Sequence, residues 1–155
     1  MIIGCDKMEK DNDSLKLENQ LCFPIYLCSK EIIRKYTPWL EEIDLTYTQY
    51  IVMMYFWEKE KSNVKEVGKT LLLDSSTLTP LLKKLENKGF ITRVRSTIDE
   101  RNLEIQLTKK GRELKDKAKL IPEKIGKCIA LSEEEATTLY SLMYKILMNV
   151  ERNEI

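Results

Sequence analysis

The chain has 155 residues, 43% of them hydrophobic and 33% charged, the balance of a globular chain and not of a disordered one. No apolar run approaches the roughly 18–20 residues that span a bilayer, which excludes a transmembrane helix. Net charge is only +1, but it is unevenly spread: Lys61–Lys119 holds 15 basic and 8 acidic residues and the remainder 11 and 17, so a basic middle suited to a polyanion lies between acidic ends.

Residues 1–14 are mostly polar and lack the long apolar core of a signal peptide. They are expected to form a loose lead-in to a single domain over 15–155, in the cytoplasm. Leu17, Leu21, Ile25, Cys28 and Ile32 recur at helical steps and predict a helix over 15–36. Pro24 within it predicts a kink, and Thr37-Pro38 a stop and restart. Thr46–Glu58 is apolar nearly all round, which predicts a central buried helix. Asn63 with Glu66 resembles a capping box opening a short helix over 64–71. Asp74-Ser75-Ser76 is a cluster of cap residues, followed by a helix to Lys88 with Leu78, Leu81, Leu82 and Leu85 on one face and Gly89 closing it.

The period then changes from helical to alternating. Phe90–Arg95 and Asn102–Leu107 predict a β-hairpin with a polar loop over 96–101. Thr108 caps a helix to about Leu120, and Pro122 follows. Ser132, with Glu135 as its capping-box partner, opens a last helix whose apolar stripe is Leu139, Leu142, Met143, Ile146, Leu147 and Val150. The fold class is therefore mainly α with a small β-hairpin.

Helix, helix, hairpin is the order of a winged helix-turn-helix, here over 62–108. Its second helix offers an N-terminal half to the major groove, where base edges are distinguishable. Ser75, Ser76, Thr77 and Thr79 stand there, followed by Lys83. Helix capping explains one or two such hydroxyls, not four in five positions. The hairpin carries Arg93, Arg95 and Arg101, cations suited to a narrow minor groove. Asp99 is placed to orient Arg101 through a bidentate pair.

The four cysteines, Cys5, Cys22, Cys28 and Cys128, form no Cys-x-x-Cys pair, and the chain has no histidine. Their spacing gives no zinc site, so neither metal nor cofactor is expected, and the expected cytosolic setting argues against structural disulfides. By packing habit a free cysteine is a small buried hydrophobe. No phosphate loop, paired carboxylates or histidine-assisted nucleophile points to an enzyme.

The runs Leu73–Glu86, Gly89–Arg93, Asp99–Arg101 and Leu107–Gly111 together resemble MarR-type regulators, over roughly 17–150. The resemblance implies a homodimer, formed through helices 15–36 and 133–150, that binds a palindromic double-stranded DNA operator as a repressor. Ser75–Lys88 would be the recognition helix and Arg101 the minor-groove arginine. Leu17–Phe23 and Thr46–Tyr50 resemble the OhrR-type branch, which senses organic hydroperoxides. By that resemblance Cys22 is the reactive thiol, Tyr26, Tyr36 and Tyr47 hydrogen-bond to it, and Cys128 is the candidate resolving thiol. The chemistry suits the residue types: a phenol donates to a thiolate without adding charge, and peroxide converts the thiolate to a sulfenic acid. The competing expectation within the family is release by a small aromatic ligand in a pocket lined by residues 47–57.

Overall fold

A computed structural model describes residues 14–95 and 103–152. Cys5, Asp99 and Arg101 lie outside the described residues. The chain divides between Ile121 and Pro122 into two compact units.

The first unit opens with a 3-10 turn over Leu17–Asn19 and then helix α1, Cys22–Glu41. Helix α1 differs from the predicted 15–36 helix at both ends. Leu17 and Leu21 precede it and are exposed, so the apolar stripe expected through them is not one helical face. Pro24 is the third residue of α1, where the missing N–H is one that a first turn leaves unpaired in any case, and no kink is required there. Nor does the helix stop at Pro38. It continues to Glu41, and its last turn is held by Leu40, which is buried. Thr37 Oγ1 donates to the Ile33 carbonyl at 3.4 Å in the turn before the proline.

Helix α2, Tyr47–Lys59, starts on a reciprocal capping box between Thr46 and Gln49. It buries Tyr50, Val52, Met53, Phe56 and Trp57, as its composition predicts. A short strand β1, Lys61–Asn63, follows. It was not expected, since three residues carry no readable alternation. Helix α3, Val64–Leu71, is capped by Asn63, whose side chain accepts the Glu66 amide. The expected reciprocal half of that box is absent. Glu66 instead accepts from Ser62 Oγ at 2.7 Å, and Ser62 lies 2.8 Å from the Tyr55 hydroxyl. This network ties α2, β1 and α3.

Helix α4, Ser75–Asn87, buries Leu78, Leu81, Leu82 and Leu85. The chain turns back at Gly89, whose φ of 75° is strained for any side chain. Strands β2, Ile91–Arg95, and β3, Leu103–Leu107, pair antiparallel with Ile91 opposite Leu107 and Arg93 opposite Ile105. β1 pairs with the other edge of β3, making a three-stranded sheet of order β1-β3-β2. Helix α5, Lys109–Ala118, is capped by Thr108. Its Gly111 approaches the Phe90 carbonyl too closely for a Cβ, and the Gly111 carbonyl accepts the Trp57 indole N–H at 2.8 Å.

Helix α6, Ile121–Ile129, holds Pro122 as its second residue, so the proline that marked an end in the sequence opens a helix instead. In the second unit, helix α7, Glu133–Arg152, begins with the Ser132–Glu135 capping box. Every residue of its apolar stripe is exposed in the single chain. No helix of the described residues is long and apolar enough to cross a membrane.

Candidate nucleic-acid interface and thiol

The four leucines of α4 turn inward and leave Ser75, Ser76, Thr77, Thr79, Lys83 and Lys84 exposed. Asp74 caps the helix, accepting the Thr77 amide at 2.8 Å. Ser76 and Thr77 hydroxyls also donate to this carboxylate. The Ser76 hydroxyl, and then the Thr77 amide and hydroxyl, hold the Asp74 carboxyl below its ordinary pKa. Two of the four hydroxyls thus serve the cap. Those of Ser75 and Thr79 make no hydrogen bond among the described residues, so capping does not account for them.

Two features of this face escaped the sequence. Lys65 and Lys69, four apart on α3, line an open groove of about 440 Å³ with Ser75, Leu73, Leu78 and Leu103. Their spacing was readable and places them on one face. This groove contains no residue from 47–57, where a ligand pocket was expected. The second feature is Glu86, which holds Arg93. Arg93 is therefore not the unopposed wing cation that the hairpin suggested: its Nε donates to Glu86 at 2.7 Å. Arg95 ends β2.

Cys22, Cys28 and Cys128 are all exposed in the single chain, which corrects the expectation of a buried Cys28. Cys22 is the first residue of α1. Tyr26, one turn later, is exposed. Tyr36 packs its ring 4.9 Å from that of Tyr47 and 5.9 Å from that of Tyr50. Burial, then the neighbouring Tyr47 and Tyr50 phenols, raise the Tyr36 pKa, so at neutral pH its hydroxyl remains a donor. No tyrosine hydrogen-bonds Cys22 within the described chain. The geometry of α1 explains this for Tyr36: fourteen residues along one helix separate it from Cys22 by about 21 Å.

Helix-turn-helix, short sheet and wing define a winged-helix regulator with a MarR-like fold. The family model described as transcriptional regulator SarA/Rot matches residues 34–118, and the chain belongs to that family. It is 51% identical over 131 residues to the HTH-type transcriptional regulator SarZ of Staphylococcus saprophyticus, covering 84% of this chain and 88% of that protein. It is 46% identical over 140 residues to the organic hydroperoxide resistance transcriptional regulator of Bacillus subtilis, covering 90% and 95%. The structure of reduced AbfR bound to DNA, a Staphylococcus epidermidis protein, matches with a TM-score of 0.73 at 33% identity, covering 89% of this chain and 96% of that one.

Proposed function

We propose that the protein is a homodimeric, DNA-binding transcriptional repressor that releases its operator when organic hydroperoxide oxidises Cys22. The observation that carries the DNA-binding reading is the exposed hydroxyl and lysine face of α4, over a leucine face buried in the core. Ser75, Ser76, Thr77, Thr79 and Lys83 would meet the major groove, with Arg95 and Arg101 of the wing in the minor groove and Asp99 orienting Arg101. The DNA-bound AbfR structure, as named, supports the same reading.

The dimer follows from two features. The apolar stripe of α7, and separately Tyr26, Leu27 and Ile33 of α1, are exposed in the single chain, as apolar faces that meet a partner are. The 21 Å rise along α1 also leaves the Tyr36 phenol out of reach of its own thiol, so a second protomer has to supply it. In this account the Cys22 thiolate attacks the distal oxygen of the hydroperoxide. The O–O bond breaks, the alkoxide takes a proton and leaves as the alcohol, and Cys22 carries a sulfenic acid. A second thiol, proposed as Cys128, then attacks the sulfenic sulfur, forming a disulfide and releasing water. Moving the thiol's tyrosine partners shifts α1 and α2 and changes the spacing of the two recognition helices, which palindromic half-sites cannot follow. The relationship to the B. subtilis peroxide-resistance regulator supports this choice of oxidant.

The test of DNA binding is anisotropy with a duplex enriched by the protein from a random-sequence pool, over a range of salt. Lys83→Ala is expected to lower the slope of log affinity against log salt by about 1.8, one phosphate contact from each protomer of the dimer. Failure to enrich any duplex, or salt-independent binding, would contradict the reading.

A further inference from the structure

One carboxylate ties the last turn of the recognition helix to the first wing strand at three points. Glu86 Oε1 accepts the backbone amide of Arg93 at 3.2 Å, Oε2 accepts Arg93 Nε at 2.7 Å, and the ion pair is closed by Nη2 lying 2.5 Å from Oε2. The side chains are only 31% and 24% exposed. The connecting turn is short and itself bonded, Gly89 N–H to the Glu86 carbonyl at 2.8 Å and Phe90 N–H to the Leu85 carbonyl at 3.1 Å. Beyond the clamp, Arg93 pairs in register with the fully buried Ile105. The base of the wing is thus fixed to α4 on one side and to the core on the other.

We propose that Glu86 and Arg93 are positioning residues for DNA binding, setting the angle at which the wing leaves the recognition helix, and that Arg93 does not serve as a phosphate contact. The inference rests on the DNA-binding reading above. A protein that seats a helix in the major groove and a wing beside it gains from holding the two in a fixed relation before it binds, because ordering a hinge on binding subtracts from affinity. For Arg93 to reach a phosphate its guanidinium would have to leave a charge-assisted hydrogen bond and the ion pair around it. It would also strand an unpaired carboxylate facing a polyanion. The bond from the Arg93 amide sets this pair apart from an ordinary surface ion pair, since Glu86 holds the strand's backbone as well as its side chain.

The clamp and simple electrostatics predict opposite signs. Removing the Glu86 charge from a DNA-facing surface should tighten binding if charge alone matters. The clamp requires it to weaken. The experiment measures affinity of the full-length protein for the enriched duplex across salt, for wild type, Glu86→Ala, Glu86→Gln, Arg93→Ala and the Glu86→Ala/Arg93→Ala double variant, at a temperature where circular dichroism shows each fully folded. Glu86→Ala and Arg93→Ala are each expected to bind about tenfold more weakly with the salt slope unchanged, and the double variant no more weakly than the worse single. Where Glu86→Ala does not fold, Glu86→Gln, which keeps an acceptor for the amide, is read against the same criteria with a smaller loss. Unchanged or tighter binding by the Glu86 variants, or a slope reduced by about 1.8 in Arg93→Ala, one phosphate contact per protomer, would overturn the clamp while leaving the DNA reading intact. A wild type that enriches no duplex would overturn both.

Discussion

Replacing Gly111 by alanine strikes the joint where α5 meets the base of the wing. A Cβ there would lie 2.1 Å from the Phe90 carbonyl oxygen and 2.8 Å from Leu107 Cδ1. The leucine methyl is the end of a flexible side chain, but the Phe90 carbonyl is backbone, held by the Thr108 amide at 3.1 Å. Helix α5 therefore has to recede by about 1 Å to restore ordinary contact. That shift stretches the Trp57 indole bond to the Gly111 carbonyl and the Thr108 cap on the Gly111 amide, 2.8 and 2.9 Å. Strain of about 1–2 kcal/mol, with about 1 kcal/mol from weakening the buried bond and the cap, gives a loss of roughly 2–3 kcal/mol. For a chain of this size that lowers the thermal midpoint by about 4–12 °C. Calorimetry and urea unfolding at one fixed protein concentration, since dimers melt in a concentration-dependent way, measure it. A variant within about 0.5 kcal/mol of wild type would refute the close-approach argument.

Two further predictions concern the clamp and the second thiol. Arg93, through its hydrogen bond and then its charge, holds the Glu86 carboxyl below its ordinary pKa. A carboxyl depressed in the folded state adds stability that is fully present above its unfolded value of about 4.3 and is lost as pH falls through the folded value. The stability gap between wild type and Glu86→Gln should therefore be largest near neutrality and close in acid below about pH 4; a gap independent of pH would contradict the pairing. On non-reducing gels, hydroperoxide-treated wild type should run as a crosslinked dimer and Cys128→Ser should not. An undiminished crosslink would remove Cys128 from the mechanism.

Legibility in the sequence followed how local each cause was. Helix α4 was readable almost entirely, because its cap at Asp74, its leucine spacing and its stop at Gly89 lie within the segment itself. The start of α1 was not, because Leu17 and Leu21 continue the helical spacing although the chain there forms only a short turn. Three of the four prolines were misread for the same reason, Pro80 alone standing inside its helix as expected. Pro24 and Pro122 stand in first turns and Pro38 inside a helix, and the residue type does not say which. Strand β1 exists only because β3 lies beside it. The Glu86–Arg93 clamp depends on the Gly89 turn folding two segments together, so the arginine looked unopposed in the linear chain. The separation of Cys22 from Tyr36, by contrast, follows from the helical rise alone.

The most direct test of the thiol switch compares wild type and Cys22→Ser bound to the enriched duplex, before and after one equivalent of cumene hydroperoxide per thiol. The account predicts that wild type releases the DNA, that a reductant restores binding, and that Cys22→Ser stays bound throughout. Wild type that holds its DNA while oxidised, or a Cys22→Ser variant that lets go as readily as wild type, would contradict it.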